Sequence, residues 1–505
     1  MTKSRNPIFA RGKAALQRAR ATVESRPILL LAALAICSAS IYYFSFTRVF
    51  NLLELYDQPL LDMAHMSKSD PTHRWDVLAS MLALGLLYWW GWRTAQRARG
   101  KWAWLIVALG ALLCGALLLF IFPYDAADIF DYIMHARIST VYGANPFLET
   151  ASMFEGDPIL PYVAWKGYPS TYGPLWVMVS GVAARLAGDG IIANVLAFKL
   201  LSGAFLAASV LVVALLLRRK APQRALSGAL LLAWNPMALY ETFGHGHNDM
   251  TMVFWVILAV YALANRRFTT GILSLVMGAL FKFIPLLFLP AAGLIALREH
   301  SGFLRRVRFV IILGILAVLL VVGAYAPFWR GPDTIGIFSR RYLYTTSLPA
   351  VVRMLLAPSM GYDQAANIIG PAAAALTLAV ALWQGVGAYR DKSWLSFTRA
   401  TFITMMFYLL VTCAWFQAWY SIWPVGLAAI MEPDLTAGLG IFFGYAALTK
   451  PMLFAPWVFW FNPDASGEWR ELRLGPAVMS TAWLYVIGLL IASLVRRMRL
   501  HRRPT

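Results

Sequence analysis

Residues 102–131 read W-A-W-L-I-V-A-L-G-A-L-L-C-G-A-L-L-L-F-I-F-P-Y-D-A-A-D-I-F-D. The stretch up to Phe122 carries no charge, and the few residues after it carry three aspartates, Asp125, Asp128 and Asp131. An uncharged run of about 20 residues is long enough to cross a bilayer as a helix. The acids then stand where that helix leaves the membrane. They are either a solvated rim or the working end of a membrane enzyme.

The rest of the chain fits the same solvent. Of the 505 residues, 60% are hydrophobic and 13% charged, and the mean hydropathy is +0.63. So few charges cannot cover the apolar surface of a soluble protein of this length. Runs at 28–46, 195–217 and 307–322 repeat the pattern of 102–122. The alternation that builds an outer-membrane barrel is absent. The fold class is therefore an all-α polytopic membrane protein.

The formal net charge is +20, from 44 Lys+Arg against 24 Asp+Glu. Placement decides what that charge means. The basic residues cluster at the ends of apolar runs, at 3–20, 93–101, 218–224, 266–267, 305–308 and 496–503. This is the positive-inside pattern, so the implied partner is the lipid bilayer and not nucleic acid. Cys37, Cys114 and Cys413 lie within apolar segments and give no disulfide or zinc framework.

Placing the basic segment 1–27 in the cytoplasm makes 28–46 a retained first span. Spans at 77–92 and 102–122 then put a long loop, 123–172, on the external face. The domain 28–497 is expected to cross roughly 13–14 times, leaving 498–505 as a basic cytoplasmic tail and both termini inside. The setting is multi-pass in the inner (plasma) membrane. The run 225–240 is expected as an outward span. Segment 175–186 upsets the count unless it lies at the interface or is partly inserted. Segment 269–297 must cross an even number of times, as two halves hinged at 282–285, where Pro285 interrupts the helix.

Three polar groups are expected on the external face. The first is Asp125, Asp128, Asp131, Tyr132, His135 and Arg137. As a helix it puts Asp128, Tyr132 and His135 on one side. A carboxylate there suits a general base, and a dipole-complementing rim helix suits it equally. The second is G-H-G-H-N-D at 244–249, with His247, Asn248 and Asp249. Hydrogen bonds to hydroxyl-rich substrate, or helix capping, explain it better than a metal site, because zinc needs further ligands. The third is cationic: Lys282 in the hinged segment, with Arg340 and Arg341 in the stretch after 330. A lysine at that depth marks a functional site, and Lys and Arg both suit phosphate. Arg340 and Arg341 also read as a solvated loop. Aromatic residues including Tyr172, Trp419 and Tyr420 suit both a sugar face and an interfacial belt.

The motifs resemble those of a known family. D-I-F-D-Y, Y-G-A-N-P-F with Asn145, and Y-P-S-T-Y-G-P-L resemble the first luminal region of GT-C superfamily mannosyltransferases that use polyprenyl-phosphate-mannose. N-P-M-A-L-Y-E-T-F-G-H-G-H-N-D, K-F-I-P-L-L-F-L-P and A-W-Y-S-I-W-P follow in the family's order, over residues 123–424. The resemblance extends distantly to the GPI-anchor mannosyltransferase. It implies a GT-C fold, a polyprenyl-phosphate-sugar donor, a glycan or lipid acceptor, and no cofactor or metal. It also implies Asp128 as the base, with Tyr132 at the motif's tyrosine; Asp131, at a place that is often not acidic in the family, is a second candidate and not an inherited one. Two features depart from the family: two additional spans and an acidic loop stand ahead of the motif, where many members place it directly after the first span, and Phe147 stands where N-P-Y has a tyrosine. A lipid-sugar flippase, or an O-antigen-type polymerase or ligase, remains the alternative. A flippase more naturally shows repeated halves, which are absent here.

Overall fold

The computed structural model describes residues 26–61, 66, 70, 72–335 and 342–447. Among these residues all regular structure is helical, apart from isolated bridges Asn51↔Ile121 and Thr345↔Trp415. Five helices are long and apolar enough to cross a membrane: α1 (Arg26–Thr47), α3 (Lys101–Leu119), α6 (Ile191–Lys220), α11 (Phe303–Tyr325) and α13 (Tyr362–Arg390). Helix α2 (Thr72–Ala95) lies between the first two of these. The chain is an all-α polytopic membrane protein. The part of the expected membrane domain from 448 to 497 and the basic tail lie outside the described residues.

Shorter helices fill the interior. They are α4 (Asp128–Thr140), α5 (Pro174–Ala187), α7 (Ala225–Ala233), α8 (Asp249–Ala264), α9 (Phe268–Ala279) and α10 (Leu289–Glu299). Helices α12 (Leu348–Met360), α14 (Ser396–Phe407), α15 (Trp423–Ile430) and α16 (Leu435–Ala447) complete the set. Every residue of α7 is buried. By contrast, α11 shows only Ala324 and Tyr325 buried and has apolar side chains on nearly every outward position. A helix apolar all round belongs either in a protein core or against lipid; α7 takes the first place and α11 the second.

The expected span at 225–240 is broken. Helix α7 stops at Ala233, and Asn235 and Pro236 start a new turn, with the Asn235 side chain accepting the Ala238 N–H at 2.9 Å. An Asn cap followed by Pro is a helix start, so the chain restarts instead of running through. A wide π turn, Tyr240–Gly244, then leads into the G-H-G-H-N-D stretch.

Helix α5 has 14 residues, about 21 Å at 1.5 Å per residue, well short of a hydrocarbon core. It buries Trp176, Val177, Ser180, Gly181 and Ala184 and exposes Met178, Val182 and Leu186. That geometry fits the interfacial placement expected of 175–186.

The 269–297 segment is a hairpin of two half-length limbs. Helix α9 ends at Ala279, a tight turn spans Ile284–Phe288, and α10 runs back to Glu299. The Arg266 guanidinium pairs with Glu299, so the limbs begin and end together. The tip receives the end of the long loop: Gly173 N–H donates to Phe281 O at 2.9 Å and Leu175 N–H to Leu280 O at 3.1 Å. A Cβ on Gly173 would lie 2.0 Å from the Leu280 carbonyl oxygen, so only glycine allows this approach.

Candidate active site

Helix α4 follows α3 after a short connection, and a buried lysine shapes that connection. Lys199, in the first third of α6, donates to the carbonyls of Leu119, at 3.2 Å, and Ile121. It thereby caps the C-terminal end of α3, where a cation is favourable. The same residue packs beneath the G-H-G-H turn. Gly246 there has φ +72°, and a Cβ on it would come within 2.4 Å of Ile129 on α4. These contacts set the distance between the aspartate stretch and residues 244–249.

Asp249 is the centre of the cluster. It is fully buried, and its Oδ1 accepts from Lys282 Nζ at 2.6 Å and from Trp423 Nε1 at 2.6 Å. Lys282 sits over the rings of Tyr420, Tyr172 and Trp423, at 5.2, 5.4 and 5.7 Å from their centroids. Cation–π attraction holds a lysine in such a cage without consuming its N–H donors. Tyr172 donates to the Tyr132 hydroxyl at 3.3 Å, and Tyr132 lies within electrostatic reach of both Asp128 and Asp249. Asp128, in the first turn of α4, thus shares the site with Lys282, which is contributed by the tip of a hairpin more than 150 residues further along the chain.

A second set borders the first. His247 stacks on Trp419, with centroids 4.1 Å apart and planes at 13°. Its Nε2 lies 3.5 Å from Glu241 Oε2, at the outer limit of a hydrogen bond. Asp125 and Asp249 both act electrostatically on Glu241. Among the described residues, Glu241 Oε1, His247 Nδ1, Asn248 Oδ1 and Asp249 Oδ2 are buried and have no hydrogen-bond partner. Buried polar atoms are nearly always paired, so a group of unpaired ones is a place for ligand or water. No three His, Cys, Asp or Glu among the described residues are grouped to hold a metal ion.

Four candidate site residues, Asp131 as an acid and His135, Arg137 and Asn145 as substrate ligands, make contacts with the long loop and its surroundings. Asp131 Oδ1 accepts the Trp165 N–H at 3.1 Å, and His135 Nε2 lies 3.4 Å from Tyr168 O. Those residues are four apart on α4, and both touch the long loop. Arg137 is committed throughout: Nε to Asp157 at 2.9 Å, Nη1 to Gly188 O at 3.0 Å, and Nη2 to Asp189 at 2.8 Å. Tyr142 also donates to Asp157, and burial together with that carboxylate raises its phenol, keeping it a donor. Asn145 closes its own turn through Phe147 N–H and ties it to Phe328 O at 2.6 Å. These residues hold the loop. Arg340 and Arg341 lie outside the described residues.

Residues 30–298 match the profile of the family described as alpha-(1->6)-mannopyranosyltransferase, N-terminal domain. That match covers more than half of the chain and includes Asp128, the 244–249 turn and Lys282. The chain belongs to this family. The resemblance to GT-C mannosyltransferases drawn from its motifs therefore holds. The chain is also similar to alpha-(1->6)-mannopyranosyltransferase A of Corynebacterium glutamicum, at 25% identity over 189 residues. The similar stretch is 37% of this chain and spans only 38% of that relative. Trp419, Tyr420 and Trp423 come from beyond the family match, yet they wall the same cluster.

Sequence reasoning noted Asp125 and Trp423 without assigning either a role, and it passed over Glu241 and Lys199. A lysine inside an apolar span was a usable signal for Lys199, by the same rule that singled out Lys282. Trp423 stood among the aromatic candidates, but tryptophan near a span end also reads as a belt residue.

Proposed function

We propose that this protein is a membrane glycosyltransferase that moves a hexose, mannose by its family, from a polyprenyl-phosphate-sugar to a glycan or lipid acceptor. The observation that carries the reading is the joining of Lys282, Asp249 and the aromatic cage to the Asp128 end of α4, beside unpaired buried polar atoms. The basic turns near 93–101, 218–224 and 266–267 support a cytoplasmic setting for the opposite end of the bundle, with the site facing the periplasm or exterior.

Asp128 removes the proton from an acceptor hydroxyl as its oxygen bonds to the anomeric carbon. The bond from that carbon to the phosphate oxygen breaks, and polyprenyl phosphate leaves carrying the electron pair. The reaction inverts the anomeric configuration through an oxocarbenium-like state. Lys282 uses one N–H on Asp249 and directs others to the leaving phosphate, whose charge grows as the bond breaks. His247, Asn248, Asp249 and Glu241 take sugar or acceptor hydroxyls, and Trp419, stacked on His247, borders that pocket. Holding both substrates in one cavity supplies the proximity contribution.

The test is transfer by purified protein from labelled polyprenyl-phospho-mannose to a membrane extract, with the product linkage determined by NMR. Transfer with inverted configuration is expected. Transfer from a nucleotide-sugar alone, or retention of configuration, overturns the reading.

A further inference from the structure

The helix that opens at Asp249 ends far from the site. Helix α8 has 16 residues, so Ala264 lies about 24 Å from the Asp249 end. There a cavity of about 210 Å³ opens among the ends of α6, α8 and α10 and the turn before α14. Four cations from four separate segments line it: Lys220, Arg266, Arg298 and Lys392. Glu299 is the lining acid, and Trp394 stands at the edge.

The cations differ in how they are held. Arg298 bonds Glu299 at 3.0 Å and the carbonyls of Tyr389 and Asp391 at 2.7 and 3.1 Å. Arg266 pairs with Glu299 from a residue with φ +60°, a left-handed conformation that non-glycine residues seldom adopt. Strain of this kind persists only where the surroundings enforce it, and it gathers at ligand sites. Lys220 and Lys392 form no ion pair among the described residues. One carboxylate already shared by two arginines leaves the cavity strongly positive. Like charges confined in a recess repel, and a multivalent oxyanion relieves this better than solvent.

We propose that this cavity binds the phosphate headgroup of an anionic phospholipid from the leaflet at this end of the bundle. Basic recesses between spans are the sites where such headgroups settle. Trp394 matches the headgroup level, and the half-buried Phe268 on the lining meets the upper acyl chains. The headgroup clasps the base of the α9–α10 hairpin, whose tip carries Lys282. The assignment does not depend on the transferase reading.

The experiment measures the thermal midpoint of detergent-purified full-length protein with added dioleoyl phosphatidylglycerol, dioleoyl phosphatidylcholine or inorganic phosphate. Phosphatidylglycerol is expected to raise the midpoint well beyond phosphatidylcholine, and phosphate to have little effect. K220Q/K392Q should lose at least half of that increment with its midpoint in phosphatidylcholine unchanged. R305Q/R306Q, which removes charges outside the cavity at the same end, should keep it. An undiminished increment in K220Q/K392Q, or equal loss in R305Q/R306Q, overturns the site. A full increment from phosphate alone overturns the lipid. If the double variant does not fold, bound phosphatidylglycerol counted by native mass spectrometry in K392Q decides. Unchanged occupancy rejects the proposal, and reduced occupancy supports it.

Discussion

Arg137 and Lys282 are both cations held by a buried aspartate, one under the long loop and one at the tip of the broken hairpin. Arg137 spends its guanidinium on Asp157, Asp189 and a backbone carbonyl, and Asp157 in turn also accepts from Tyr142 and Ile159. Lys282 meets Asp249 through one bond, is 15% exposed, and leaves Asp249 Oδ2 unpaired. A closed network holds structure and has no capacity left for a ligand; an open one does. The residue types alone do not separate the two, because both are basic groups near an acid in a conspicuous motif.

Substitutions can break that contrast. Asp128→Asn, at the open end, should lower transfer about 10²–10⁴-fold, the usual contribution of a general base, with helical circular dichroism and elution unchanged. Near-normal turnover would move the base to another acid of the cluster. Arg137→Met, at the closed end, should cost about 3–5 kcal/mol of stability, since it strands a buried carboxylate. A thermal melt reads this, and the protein that remains folded should keep its turnover per molecule. If turnover falls while the melt does not move, Arg137 belongs to the open class.

Lys282→Met should reduce transfer about 10²-fold through lost stabilisation of the departing phosphate. Arg at the same position should restore part of it. Equal activity with short-chain donors in variant and parent would place the lysine in a structural role. Trp419→Ala should have the smallest effect. Losing its stack on His247 removes about 1 kcal/mol, roughly fivefold in kcat/KM for sugar transfer. A loss confined to stability would take the ring out of the sugar pocket.

Several of these elements were legible in the chain and several were not. Pro285 between two basic turns was enough to require a hairpin at 269–297, because topology permits only an even count there. Asp128, Tyr132, Asp249 and Lys282 were singled out individually, and the structure brings them into one cluster. Arg137 is spent on Asp157, Asp189 and Gly188 O, which its position on α4 did not reveal. Helical spacing says which residues share a face, but not which neighbour that face will meet. The α7 break was readable from Asn235-Pro236 and was overridden by the apolar run around it.

By itself, the sequence determined the solvent and the inventory. Hydropathy and the placement of charge are properties of composition along the chain, and they settle that the helices live in a bilayer. Which acid and cation bond to each other was decided only by tertiary structure. The turn at Gly246, the glycine contact at Gly173 and the fold-back at Pro285 bring residues far apart in the chain within about 3 Å, the scale on which hydrogen bonds form or fail.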